Sequence, residues 1–143
     1  MLRRLLELTP RERVLLAAGA MWVVTARAAL LASRSGSFRV MEHKLDALAG
    51  RLPRLRECGI EGAVWAVTAA ARRTPGTRCL AFALALRGLL AQLGIASELH
   101  IGVAAGERRT PRAHAWVQCQ GRALSWGDDV EDYAVLRARI EAQ

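Results

Sequence analysis

Residues 77–103 read TRCLAFALALRGLLAQLGIASELHIGV, and the spacing of their apolar residues changes at Gly94. Before this glycine, leucines and alanines recur at helical spacing, and a glycine just past the last of them is typical of a helix C-terminus. After it, apolar residues at 99, 101 and 103 alternate with other residues, as they do in a β-strand. The stretch therefore predicts a helix over residues 79–93 and a strand that begins near Leu99.

Two more strands are predicted after the first. Residues 104–111 form a polar, turn-rich connection, and residues 113–119 again alternate between two faces. A Gln-Gly turn at 120–121 then leads into a third short strand over 122–126. Short connections join the three strands, which is the pattern of an antiparallel β-meander.

The beginning of the chain predicts a long helix. Thr9 suits the N-cap, Pro10 suits the first helical position and Glu12 can close a capping box, so the helix is expected to run from there to about residue 33. It is apolar almost all round. We therefore expect it to be buried against other helices or to lie on a partner or a membrane surface.

Two shorter helices are predicted over residues 41–48 and 59–73, and the sequence TPGT at 74–77 forms a turn before Cys79. Helices come first and a small antiparallel sheet follows, which predicts an α+β fold. In this fold Cys79 begins a helix that packs on the sheet.

The composition fits one globular domain over residues 1–143. Of these residues 52% are apolar and 24% are charged, which excludes a disordered, collagen-like or coiled-coil chain. The longest uncharged run, residues 14–26, is shorter than the about 20 residues that cross a bilayer, and charged residues interrupt any signal-peptide pattern at the start. We therefore expect a cytoplasmic protein without a membrane span.

The positive charge is concentrated in the first part of the chain. Residues 1–56 carry 11 Lys and Arg against 4 Asp and Glu, or +7, whereas residues 57–143 carry 10 against 9, or +1, which gives the total of +8. This basic helical part could meet nucleic acid, an anionic membrane or an acidic partner, although a solvated arginine-rich face is the simpler interpretation. Because no nucleic-acid-binding motif accompanies the charge, such binding ranks last among the functions considered.

Cys79 and His114 suggest a catalytic pair. Cys79 is predicted in the first turn of its helix, where unpaired backbone N–H groups and the positive end of the helix dipole favour a thiolate. A cysteine that serves only packing is the alternative. His114 lies in the second strand on a face with Trp116, and an imidazole that reaches such a thiol can take its proton and later protonate a leaving amine.

The third role in such a site is to orient the imidazole, which usually falls to Asp or Asn. Asp128 and Asp129 follow the third strand and are the candidates. No metal site is expected, because the cysteines and the histidines lack ligand-type spacing, and no cofactor is expected either.

The residues around this pair resemble a known family. The sequences RCLAFALALRGLL at 78–90, LGIASELHIGV at 93–103 and AHAWV at 113–117 together resemble the leader peptidases of lasso-peptide biosynthesis. That family belongs to the transglutaminase-like group of papain-type cysteine proteases. The resemblance covers residues 69–136, so that residues 57–143 are read as a cysteine-protease-like core.

The resemblance implies a peptidase that removes the leader from a ribosomally made precursor, with Cys79 as the nucleophile and His114 as the general base. The backbone N–H of Cys79 is then one oxyanion donor. The resemblance also implies two partners. One is a separate winged-helix protein that recognises the leader, since residues 1–60 show no such module, and the other is an ATP-dependent lasso cyclase. ATP is not expected to bind this chain, which has no Gly-rich phosphate loop.

The chain departs from the family where the imidazole would be oriented. An Asn-Asp pair of the family falls here on Ser125 and Trp126, and neither residue is expected to orient the imidazole in the family's way. Gly127 would allow a local shift that brings Asp128 into the role, and orientation by a backbone carbonyl is equally compatible. The departure also motivates an alternative function, a catalytically impaired scaffold that holds the precursor for the recognition protein and the cyclase.

Overall fold

The structure is a computed structural model and describes residues 4, 6–32, 38–55, 58–127 and 129–137. Within these residues, four helices of 14 residues or more precede a small antiparallel sheet, which confirms the predicted α+β class. The helices are α1 (Pro10–Ala32), α2 (Phe38–Arg51), α3 (Ile60–Arg73) and α4 (Cys79–Gln92). The strands are β1 (Glu98–Ala105), β2 (Pro111–Cys119), β3 (Arg122–Leu124) and β4 (Ala134–Arg137), with a short 3₁₀ turn at Glu107–Arg109.

Helix α1 begins with the predicted capping box. The backbone N–H of Thr9 donates to Glu12 Oε2 at 2.7 Å, and the N–H of Glu12 donates to Thr9 Oγ1 at 3.2 Å. These reciprocal bonds satisfy N–H groups that have no partner inside the helix. The chain therefore enters α1 at the residue that the sequence indicates.

Helix α4 ends as the glycine at 94 predicts. Gly94 has φ +77°, in the left-handed region that glycine adopts most easily. Its N–H donates to Ala91 O at 3.0 Å, and the N–H of Ile95 donates to Leu90 O at 2.8 Å. This pair of bonds is the Schellman arrangement, which closes the helix and turns the chain toward β1.

The sheet has the order β3-β2-β1-β4 and is wholly antiparallel. It differs from the predicted meander in two ways. Strand β3 ends at Leu124 rather than at residue 126, and β4 adds a fourth strand on the free edge of β1. The sequence gives no sign of β4 because Ala-Val-Leu-Arg does not alternate, and its pairing with β1 depends on tertiary contact.

The helical core is held together by close packing around Trp22 of α1. The Trp22 indole lies against Gly88 of α4, where a Cβ would overlap the ring. Trp22 Nε1 donates to Gln92 Oε1 at 2.9 Å, and Gln92 Nε2 donates to the Pro53 carbonyl at 3.0 Å. The buried glutamine therefore satisfies the indole and ties α1 and α4 to the connection between α2 and α3.

Helix α1 buries only one of its two apolar faces. Trp22, Val23 and Ala26 are fully buried, whereas Val24 is 60% exposed. By length and composition α1 could cross a membrane, contrary to the expectation from its uncharged run. A buried core helix and a signal sequence can have the same length and apolar composition as a membrane-spanning helix. In this protein 33% of the most apolar part of α1 is buried inside the fold.

Candidate active site

Cys79 is the first residue of α4 and is half-buried. The preceding residue, Arg78, has extended backbone (φ −111°, ψ 172°), and its carbonyl accepts the first helical bond from the N–H of Phe82 at 3.0 Å. The Arg78 side chain makes no capping bond with the first turn. The thiol is therefore attached where the backbone N–H groups of the helix point outward, as predicted.

His114 lies in β2 opposite Gly102 of β1 and is only 4% exposed. Its Nε2 is 2.6 Å from the hydroxyl oxygen of Ser125, the residue that follows β3. In the tautomer with a proton on Nε2, this nitrogen donates to Ser125 Oγ, and Nδ1 is then the basic nitrogen of the ring. The serine hydroxyl thus fixes the orientation of a buried imidazole.

Aromatic rings flank the imidazole. The Trp116 ring is stacked near it at 22° with ring centroids 6.2 Å apart, and the Tyr133 ring lies 5.2 Å away. Arg112 Nη2 donates to the Tyr133 hydroxyl at 2.9 Å. We call His114, Trp116 and Tyr133 the aromatic cluster. It occupies one face of β2, while the alternate residues of the strand belong to the core that the helices cover.

Gly102 makes room for this cluster. A Cβ at position 102 would lie 2.9 Å from Trp116 Cη2 and 3.0 Å from the carbonyl oxygen of Ala134. Any side chain there would have to displace the tryptophan ring or the adjacent strand β4. The glycine in β1 therefore lets Trp116 lie flat across the sheet beside His114.

The two residues after β3 connect His114 with helix α4. Ser125 contacts His114, and Trp126 packs its ring against Phe82 with centroids 5.3 Å apart. Phe82 lies three residues after Cys79, which places both on the same side of the helix. One two-residue segment therefore contacts both the first turn of α4 and the imidazole.

The candidates for orienting His114 have different outcomes. Asp128 lies outside the described residues. Asp129 is exposed, and its Oδ1 accepts a bond from the backbone N–H of Glu131 at 3.3 Å, within its own turn. Ser125, which is not expected to orient the imidazole in the family's way, nevertheless contacts it directly, because its hydroxyl lies 2.6 Å from Nε2. Extending the pairing of β2 with β3 by one residue past Leu124 places Ser125 opposite Trp116, two residues from His114 on β2. This register is the signal by which Ser125 could have been found.

Two further side chains in this region are covered by neighbouring rings. The His100 side chain is only 14% exposed because it packs against Trp116, with centroids 5.8 Å apart, and it lies 3.5 Å from Glu98. Tyr133, which the sequence did not single out, is buried beside His114. The burial of His100 arises from the large ring of Trp116, which covers a neighbour on β1 that alternation alone would leave exposed.

Cys119 is a packing residue in the described structure. Its thiol is buried and lies 3.5 Å from the carbonyl oxygen of Ala96. Burial raises the pKa of the Cys119 thiol, and the nearby Arg122 opposes this shift only in part. Among the described residues, no three His, Cys, Asp or Glu side chains are grouped so that they could hold a metal ion.

A comparison with known families gives a match over most of the chain. A family model described as the transglutaminase-like superfamily matches residues 21–138, a range that contains Cys79, His114 and Ser125. A search of curated proteins and a search of solved structures each return no match to the chain. The family match spans most of the 143 residues, from within α1 to the end of β4. The chain therefore belongs to the transglutaminase-like superfamily.

Proposed function

We propose that the protein is a cysteine peptidase that removes the leader from a lasso-peptide precursor. The observation that carries the proposal is the buried His114, whose Nε2 is held by Ser125 at 2.6 Å in a chain whose Cys79 begins a helix. The superfamily includes cysteine peptidases, and an imidazole together with a thiol at a helix start is the pair of groups that such chemistry needs. The leader substrate is inferred from the resemblance of residues 69–136.

The proposed reaction uses His114 first as a base and then as an acid. Nδ1 takes the proton of the Cys79 thiol, and the thiolate attacks the carbonyl carbon of the scissile peptide. The oxygen of the tetrahedral intermediate accepts a hydrogen bond from the Cys79 backbone N–H. His114 then gives its proton to the leaving amine, and water, deprotonated by the same imidazole, hydrolyses the thioester to release the leader and the free thiol.

Ser125 is a positioning residue in this mechanism. Its hydroxyl accepts from Nε2–H and so directs Nδ1 toward the thiol, but it carries no charge to stabilise the imidazolium that forms. Asp128 is proposed to supply the missing negative charge. Two partners complete the proposal, a separate winged-helix protein that binds the leader and an ATP-dependent cyclase, and all are proposed to act in the cytoplasm.

Mass spectrometry of the cognate precursor tests this function. The precursor is incubated with the recognition protein and with wild type, Cys79→Ala or Cys58→Ala. Cys58 is also half-buried, and no catalytic role is proposed for it, so it is the matched control. We expect leader release by wild type and by Cys58→Ala, and none by Cys79→Ala.

Other outcomes contradict the proposal in distinct ways. Leader release by Cys79→Ala would move the chemistry to another residue. Intact precursor that copurifies with wild type and is never cleaved would instead favour the scaffold, in which the superfamily fold holds the precursor without catalysis.

A further inference from the structure

The face of α1 that points away from the core carries a continuous apolar stripe. Six exposed residues recur at alternating spacings of three and four, and we call them the α1 stripe: Val14, Ala17, Met21, Val24, Ala28 and Leu31. This is the spacing of the a and d positions of a coiled coil. The members with large side chains are 37% to 76% exposed, from Met21 to Leu31.

The stripe is not explained by the fold of the monomer. The buried residues of α1 are Leu15, Gly19, Trp22, Val23 and Ala26, and they lie on the opposite side of the helix. A helix that needs only one buried face normally carries polar residues on the other. The second apolar face of α1 therefore indicates contact with something outside the described part of the chain.

The order of side chains along the stripe fits a second copy of α1 as the occupant. The stripe is symmetric about a point between Met21 and Val24, so that an antiparallel second copy would pair these two residues with each other. The same register pairs Ala17 with Ala28 and Val14 with Leu31. We propose that the α1 stripe is the interface of a homodimer in which two copies of α1 pack antiparallel about a two-fold axis, as an isologous interface requires.

A cleft at the N-terminal end of the stripe receives its most exposed member. A space of about 300 Å³ is lined there by Val14, Leu15, Leu55 and four neighbours: Pro10, Arg11, Arg54 and Cys58. The antiparallel register places Leu31 of the second copy, 76% exposed in the monomer, against Val14 at this cleft. The stripe is about 26 Å long, and two such helices bury roughly 1,000 Å² together, the area at which specific interfaces begin.

Sedimentation equilibrium of the full chain tests the dimer. We compare wild type with Met21→Glu, and with Val40→Glu as a matched control, because Val40 is 52% exposed on α2 and lies outside the stripe. Each Met21→Glu dimer would bury two unpaired carboxylates, so we expect its dissociation constant to rise about 100-fold or more while Val40→Glu remains like wild type. Circular dichroism checks that both variants fold.

Cysteine cross-linking tests the register independently of any destabilising variant. Ala17→Cys and Ala28→Cys are oxidised separately and as a mixture. We expect a cross-linked dimer mainly from the mixture, since an antiparallel pair brings 17 and 28 together but separates 17 from its own counterpart by about 16 Å along the axis.

Several results would overturn the proposal. Wild type that stays monomeric up to millimolar concentration, or dimers that Met21→Glu leaves intact, would exclude this interface. Efficient cross-linking of Ala17→Cys with itself would exclude the antiparallel register. A monomer that instead cosediments with vesicles of phosphatidylcholine and phosphatidylglycerol, and loses this binding in Met21→Glu, would show that the stripe meets lipid.

Discussion

Ser125 is the residue at which the positioning of the imidazole can be separated from the nucleophilic step. Its hydroxyl is 2.6 Å from Nε2 of His114, and it has no reason to contact the substrate in the proposed mechanism. A substitution that removes the hydroxyl should therefore leave precursor binding intact while the imidazole loses its fixed orientation. The nucleophile itself remains in place.

We expect Ser125→Ala to lower kcat for leader release by about 10- to 100-fold with little change in KM, because the imidazole would point toward the thiol for only part of the time. Ser125→Thr keeps a hydroxyl and should recover most of the rate. The pH profile of kcat should also shift in Ser125→Ala, since the imidazole has lost a hydrogen-bond partner. An alanine variant with the wild-type rate and profile would mean that Ser125 only fills space.

Individual site residues could be predicted from the sequence to different extents. The helix-start position of Cys79 follows from local periodicity, and His114 follows from strand alternation. The contact of Tyr133 with His114 could not be predicted, because it joins segments that are separated by a loop, whereas the contact of Ser125 could be found only by extending the β2–β3 hairpin one residue past Leu124. The burial of His100 also depends on the position of the Trp116 ring, which alternation does not determine.

At the scale of secondary-structure elements, the crossing of α1 and α4 depends on Gly88. The Trp22 ring occupies the space where a Cβ at position 88 would lie. We expect Gly88→Ala to reduce the free energy of unfolding by about 1–3 kcal/mol, because the ring or the helix must shift. Urea denaturation measures this difference.

Gly50→Ala is the matched control for this prediction. Gly50 lies inside α2, and a Cβ there would meet nothing within 4 Å. The substitution should therefore leave stability unchanged or raise it by up to about 1 kcal/mol, through the higher helix propensity of alanine. Equal destabilisation by both variants would contradict the packing argument, because it would mean that glycine at 88 is not required by Trp22.

The elements also show where local sequence patterns stop being sufficient. The capping box of α1 and the Schellman ending of α4 are set by residues within a few positions of each other, and both lie where the sequence predicts them. Strand β4 depends on pairing with β1, more than 30 residues earlier, with a register shift at Ile101 and Gly102. Pairing at such distance leaves no local periodicity by which the strand could be recognised.

At the scale of the whole molecule, the α+β class and the transglutaminase-like superfamily could be predicted, whereas the presence of both a buried and an exposed apolar face on α1 could be predicted only in part. An all-round apolar helix indicates burial on more than one side. Which side faces the core depends on contacts such as Gly19 with Ala66, where a Cβ would lie 2.9 Å from the Ala66 carbonyl. The crossing of α1 and α3 therefore determines which side of α1 is left exposed.

The stability of the whole molecule should depend on pH through Cys119. Burial raises the pKa of this thiol above its usual value of 9.0, so the folded state favours the protonated form. The stabilising contribution is complete below pH 9 and is lost as the pH rises toward the folded value, because the unfolded chain releases its proton first. Wild type should therefore lose stability above pH 9 more steeply than Cys119→Ala.

Urea denaturation under reducing conditions at pH 7.5 and at pH 10 measures this difference. Cys119→Ala creates a small cavity, but that cost is the same at both pH values, and the other ionising groups are common to both proteins. The difference in unfolding free energy between wild type and variant should therefore narrow at pH 10. A difference that stays constant would mean that the Cys119 thiolate is as well solvated in the folded protein as in the unfolded chain, which its burial beside the Ala96 carbonyl argues against.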